Sequence, residues 1–270
     1  MRVLRTVVAA AASILMFAGC TSLDATTNPD AAPGAGTALP TTSGPVLTGD
    51  LTIFAAASLG SAFDEISAAF ELEHPALDVL PIRYDGSSTL ATQLIEGATA
   101  DVFASADENN MAKVTDAALA EEPTPFASNT LVIAVPSGNP AGVGGLADLG
   151  EAGVTVVLCA PEVPCGAASA ALLDNAGVAV APASFEQNVT AVLTKVAADE
   201  ADAGLVYATD VVGESTIESI AAEGAASVVN TYPVAALENA PNPEGARAFV
   251  AFVVGPKGQR ILADHGFGTP

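Results

Sequence analysis

LTIFAAASLGSAFDEISAAF, Leu51 to Phe70, sets an apolar run, a small-residue turn and a helical pattern end to end. Leu51-Thr52-Ile53-Phe54 reads as a short buried strand, and Phe63, Ile66, Ala69 and Phe70 carry the apolar spacing of a helix. The small-residue turn Ala55-Ala56-Ala57-Ser58 joins them. A strand that ends in such a turn at a helix N-terminus presents free backbone N–H groups and the positive end of the helix dipole. Ser58 adds a hydroxyl donor, so the junction can cradle an anion without any charged side chain. Taken alone, Ser58 reads first as a plain N-cap.

The same junction recurs along the chain. Leu77 to Tyr84 reads as a strand leading into Asp85-Gly86-Ser87-Ser88-Thr89 and a helix with Leu90, Leu94 and Ile95 on its apolar face. Val154 to Leu158 reads as a strand running into Cys159-Ala160-Pro161-Glu162-Val163-Pro164-Cys165-Gly166, followed by a helix to Asn175 with Gly177 beyond its end. Phe185 to Val189 opens a helix over 190–198, with Asn188 as N-cap. Ala203 to Asp210 reads as a buried strand carrying Tyr207, whose phenol can donate a hydrogen bond. Asp101 and Asp107 have neither a base nor a metal ligand paired with them in the pattern and read as edge or capping residues. Alternation of strands and helices implies an α/β architecture with open sheets, in which ligands sit beyond the strand C-termini.

The first residues are of another kind. Arg2 and Arg5, the apolar run Val7 to Met16 and the small residues before Cys20 make residues 1–19 an export signal that resembles a bacterial lipobox, with Cys20 as the lipidated residue. Residues 20–48 are Thr, Asn, Pro, Ala, Gly and Ser with few large apolar side chains, the composition of a flexible tether, so folding is expected from about Gly49. The full chain of 270 residues carries a net charge of −23. Loss of the two leader arginines leaves six basic against 31 acidic residues, a formal −25. This argues against nucleic acid or an anionic membrane surface as a partner. It leaves an anion site open, because charges more than about 8 Å away are largely screened at physiological salt.

Over Leu51 to Phe267 the chain resembles the periplasmic molybdate-binding proteins of ABC transporters. The motifs are Phe54-Ala55-Ala56-Ala57-Ser58-Leu59, Gly86-Ser87-Ser88-Thr89-Leu90-Ala91, Ala100 to Asp107, Val163-Pro164-Cys165-Gly166, and Gly204-Leu205-Val206-Tyr207 with Asp210. The resemblance implies a two-lobed periplasmic-binding-protein type II fold, each lobe a mixed open sheet flanked by helices, joined by two crossover strands. It places residues 49–130 and 234–270 in one lobe and 131–233 in the other. It implies that Ser58 and Ser87 donate to an oxyanion through hydroxyl and backbone N–H, Cys165 and Val189 through backbone N–H, and Tyr207 through its phenol. Cys165 stands where alanine is the commoner residue, a tolerable exchange if the donor is the backbone. Cys159 and Cys165, with five residues between them in an exported domain, are expected to form a disulfide that stiffens the loop.

The resemblance further implies molybdate or tungstate as ligand, bound as the oxyanion with no protein ligand directly on the metal and no cofactor. A membrane permease with its ATPase would be the partner of a monomeric, lipid-anchored, extracytoplasmic protein. Another oxyanion such as sulfate or phosphate on the same fold is the nearest alternative. A hydrolase using Ser58 or Cys165 lacks partners: His74 and His265 are the only histidines, and no Gly-x-Ser-x-Gly elbow is present. A structural surface lipoprotein would show no stabilisation by small molecules.

Overall fold

The computed structural model describes residues 46–270, which fall within one compact unit, Gly44–Pro270. The export signal, Cys20 and nearly all of the tether lie outside the described residues. In chain order the first elements are β1 (Gly49–Leu51), β2 (Ile53–Ala56), a 3-10 turn (Ala57–Leu59), α1 (Gly60–Glu73), β3 (Leu77–Val79), β4 (Arg83–Asp85), α2 (Ser87–Ile95), β5 (Val102–Ala104), α3 (Glu108–Asp116) and β6 (Thr124–Asn129). There follow β7 (Leu131–Pro136), a 3-10 turn (Leu146–Gly150), β8 (Val156–Cys159), α4 (Pro164–Ala176), β9 (Ser184–Glu186), α5 (Val189–Ala197), β10 (Ala203–Tyr207) and β11 (Ile217–Ala221). The chain closes with a 3-10 turn (Ala225–Ser227), β12 (Asn230–Ala236), α6 (Pro243–Val254) and α7 (Pro256–Asp264).

Two five-stranded sheets result, in the orders β4-β2-β5-β12-β6 and β11-β7-β10-β8-β9. Both are mixed. In the first, β2, β4 and β5 run parallel and β12 lies antiparallel to β5 and β6; in the second, β8, β9 and β10 run parallel and β7 lies antiparallel to β10 and β11. The chain passes from the first sheet to the second across the single residue Thr130, and returns between β11 and β12. Because β12 already pairs with β6 from Asn230, this return comes a few residues before the boundary at 233 expected from the sequence. The strand expected over Leu77 to Tyr84 is two strands: β3 pairs with β1 in a separate ribbon, and β4 joins the main sheet. Pro81 lies between them and has no N–H to donate to a ladder.

The period-two alternation of the strands divides the first core into two faces. Ile53 and Ala55 of β2, Val102 and Ala104 of β5, and Tyr232 and Val234 of β12 face α1, α6 and α7, with Phe63, Phe70, Phe126 and Phe249. Phe54, Phe103 and Ala235 face α2 and α3, with Leu90, Leu94, Met111 and Val114. Phe63 packs on Phe126 and Phe249 with ring centroids 5.8 and 6.0 Å apart. Burying each such ring stabilises by about 1.5–3 kcal/mol, so α1 is held chiefly by its aromatic stripe. The second sheet has its own core, with Leu131, Ile133, Val157, Leu172, Val192 and Leu205. Among the described residues no helix is long and apolar enough to cross a membrane.

Candidate functional site

Parallel strands point their C-termini one way, so the junctions that follow them are brought together in each sheet. In the first sheet Ala56 is level with Asp85 and Ala55 with Ala104, which sets the turn holding Ser58, the start of α2 at Ser87 and the start of α3 side by side. In the second, Cys159 is level with Glu186 and Val157 with Gly204, which aligns the starts of α4 and α5 with the end of β10 at Tyr207.

The two edges meet. Asn188 caps α5 by accepting from the Ala191 N–H at 2.9 Å, and its amide donates across to Asp85 Oδ1, also at 2.9 Å. Gly86 lies so close to the other side that a Cβ there would stand 2.1 Å from the Gln187 carbonyl oxygen. Asn110 on α3 donates to the Glu162 carbonyl, and Asn129 at the end of β6 donates to Thr209 Oγ1 at 2.8 Å. Ala57 packs against the core of the second sheet. Ser58, Ser87, Cys165, Val189 and Tyr207 are all buried at this junction, the last at 1% exposure.

Four of the five keep a donor in reserve. Ser87, Cys165 and Val189 sit in the first two positions of α2, α4 and α5, where backbone N–H groups have no intrahelical partner. The Ser87 hydroxyl oxygen accepts from the Ala106 N–H at 2.9 Å, which leaves its proton to donate elsewhere. Ser58 Oγ lies 3.0 Å from the Tyr232 hydroxyl. The Tyr207 hydroxyl is buried and has no hydrogen-bond partner in the protein, an arrangement that costs about 1–3 kcal/mol unless something else accepts from it. Desolvation, with the nearby Tyr232 phenol and the Asp210 and Asp107 carboxylates, holds the Tyr207 phenol protonated well above its ordinary range. The Asp210 carboxylate accepts the Tyr207 N–H at 2.8 Å; even so, desolvation pushes this carboxyl up to about 7.

Cys159 and Cys165 are joined by a disulfide, Cα–Cα 5.7 Å, which ties the end of β8 to the second residue of α4. Gly166 sits directly against this loop: a Cβ there would fall 1.9 Å from the Ala160 carbonyl oxygen. Asp107 caps α3 by accepting from the Asn110 N–H. Asp101 is buried and fixes two loops, accepting from the N–H groups of Thr52 and Asn242 at 2.7 Å each. Among the described residues no group of His, Cys, Asp and Glu has the arrangement of a metal centre. His265 lies on the surface against Glu65, and His74 stacks on Phe70. Sequence reasoning did not single out Tyr232, which lies in β12 with its hydroxyl 3.0 Å from Ser58 Oγ. A phenol inside an otherwise apolar strand needs a polar partner, and that was the available signal.

Two α/β lobes with neutral donors gathered where they meet define a solute-binding protein of the hinged, two-lobed class. Residues 51–268 match the family described as bacterial extracellular solute-binding protein, and the chain belongs to that family. It is 46% identical over 222 residues to the molybdate-binding protein ModA of Mycobacterium tuberculosis (strain ATCC 25618 / H37Rv), covering 82% of this chain and 85% of that protein. The molybdate-binding protein ModA of Escherichia coli (strain K12) is 31% identical over 235 residues, 81% of this chain and 89% of that protein. Among solved structures, the sulfate-binding protein SubI from Mycobacterium tuberculosis H37Rv superposes with a TM-score of 0.70 at 17% identity, over 81% of this chain and 86% of that one. That likeness is one of fold alone.

Proposed function

We propose that this protein captures molybdate, and tungstate with it, between its two lobes and delivers the anion to the permease of an ABC transporter. The observation that carries the reading is the buried Tyr207 hydroxyl without a protein partner, set among hydroxyl and helix N-terminal donors that are all neutral. A fully deprotonated tetrahedral dianion offers only acceptors. Ser58 and Ser87 would meet it with hydroxyl and N–H, Cys165 and Val189 with N–H, and Tyr207 with its phenol, bonds to an ionised acceptor being roughly twice as strong as neutral ones. The charged side chains adjoining the site, Asp85, Asp107 and Asp210, are acidic, so affinity rests on local dipoles rather than on a countercharge. Identity of 46% to a protein named as molybdate-binding supports this choice of anion over sulfate or phosphate.

Selection against sulfate follows from size: a pocket fixed by helix termini fits the longer metal–oxygen bonds and loses contacts to a smaller anion. Binding favours the closed arrangement of the lobes, and closure is what the permease reads. The protein performs no catalysis, carries no cofactor, acts as a monomer, and is exported and held at the outer face of the membrane through lipid on Cys20. Titration calorimetry with molybdate, repeated in excess sulfate, tests the reading. Tight binding that sulfate does not displace is expected; displacement by equimolar sulfate would assign the site to sulfate instead.

A further inference from the structure

We infer that Tyr232 is a positioning residue of the oxyanion site: its phenol donates to Ser58 Oγ and so commits the Ser58 proton to the bound anion. The inference rests on the proposed function and adds to it a residue that does not itself touch the anion. Tyr232 lies in β12 of the first lobe and is 0% exposed. Its ring is fixed on three sides, by Phe126, Phe267 and Tyr207, with centroids 6.3, 5.6 and 5.9 Å away. Its hydroxyl stands 3.0 Å from Ser58 Oγ, where either atom could donate.

The ligand's chemistry decides the direction. A serine hydroxyl has one proton and two lone pairs. If Ser58 spends that proton on Tyr232, its oxygen faces the dianion with lone pairs and repels it. If Tyr232 donates, one lone pair is occupied and the proton is free for the anion. Desolvation, aided by the Asp210 charge and only partly offset by the polar contacts to Ser58, Asn129 and Tyr207, holds the Tyr232 phenol protonated above its ordinary range, so its proton is available to donate. Ser87 reaches the same state differently, its oxygen being filled by the Ala106 N–H while Asn230 of β12 holds the Ala106 carbonyl at 2.9 Å. Both serines of the first lobe thus have one lone pair occupied from behind and a proton left for the anion.

A double-mutant cycle with titration calorimetry tests this. Wild type, Tyr232→Phe, Ser58→Ala and the double variant are titrated with molybdate, and each is melted without anion. Tyr232→Phe is expected to bind roughly tenfold more weakly, the loss of one hydrogen bond to an ionised network, with an anion-free melting temperature close to wild type. In the Ser58→Ala background the same change should alter affinity by less than about twofold, because the hydroxyl it orients is gone. Equal losses in both backgrounds, or unchanged affinity of Tyr232→Phe, would overturn the assignment. Failure of the wild type to bind molybdate would instead sink the proposed function. A second readout needs no change at position 232. The chain has three tyrosines and no tryptophan, and Tyr84, half-buried in the first lobe, is tied to Gly60 and Asp64 of that same lobe. In Tyr207→Phe, saturating molybdate should therefore still perturb the near-ultraviolet tyrosine spectrum through Tyr232, and a flat difference spectrum would contradict the inference.

Discussion

The two lobes build the same kind of donor from different parts of the chain. In the first lobe the proposed donors include two side-chain hydroxyls, Ser58 and Ser87, each with a polar group behind it: the Tyr232 hydroxyl 3.0 Å from Ser58 Oγ, and the Ala106 N–H donating to Ser87 Oγ. In the second, two of the three proposed donors are backbone N–H groups on Cys165 and Val189, whose own side chains are apolar and buried, held by a disulfide on one helix and the Asn188 cap on the other. Where the donor is a side chain, its identity matters and its surroundings must be polar. Where the donor is backbone, the residue is free to vary and the helix start must be fixed. A cysteine can therefore stand at position 165 without changing what the site offers.

The sharpest way to break this comparison is at the contact between the lobes. Gly86→Ala puts a methyl where the Gln187 carbonyl stands, across the contact between the two sheets. Molybdate affinity is expected to fall roughly 100-fold, matching a steric penalty of about 3 kcal/mol, while melting without anion stays near wild type. Titration calorimetry beside a melting curve checks both. Next in size come the side-chain donors. Tyr207→Phe should weaken binding about tenfold and leave anion-free stability unchanged or slightly raised, since it removes an unpartnered buried hydroxyl. Ser87→Ala should weaken binding comparably and also lower stability, because the Ala106 N–H loses its acceptor.

A smaller effect is expected from pH. The Asp210 carboxyl is raised from 3.8 to about 7 on folding, so between those values the folded state holds a proton that the unfolded chain has released. This group's contribution to stability falls as pH rises across that window and is level above it. A dianion nearby opposes ionisation of Asp210 further, so affinity should weaken several-fold as pH rises through 7. Affinities at pH 6 and pH 8 test this, and Asp210→Asn should remove the difference. The smallest effect on binding belongs to the backbone donors. Replacing Cys159 and Cys165 together by alanine should lower stability by about 2 kcal/mol, as for a short closed loop, while changing molybdate affinity by no more than a few-fold. A loss as large as that of Ser87→Ala would erase the distinction between the lobes.

Much of this was legible because strand-end junctions leave a local signature. Ser58, Ser87, Cys165 and Val189 all lie where an apolar run gives way to small or capping residues, and the register of the parallel strands carries them to one edge of each sheet. What the pattern could not reveal was long-range. The tie from Asn188 to Asp85 joins residues 103 apart, and the bond from Ser58 to Tyr232 joins residues 174 apart. No window of sequence contains both ends of either. The edge strands β6 and β11 were also missed: Thr124-Pro125 and the exposed Glu218 and Ser219 break the apolar run, and pairing with β12 and β7 makes them strands. The split of Leu77 to Tyr84 was marked by Pro81 itself.

The claim at the centre is that a wholly neutral donor set, contributed by both lobes, selects a large oxyanion by size. Thermal unfolding of the protein with molybdate, tungstate, sulfate and phosphate added in turn tests it most directly. At about 1,000 times its dissociation constant a ligand stabilises by roughly 4 kcal/mol, a clear rise in melting temperature. Molybdate and tungstate are expected to give that rise, and sulfate and phosphate none at the same concentrations; an equal rise with sulfate, or none with molybdate, would rule out selection by size.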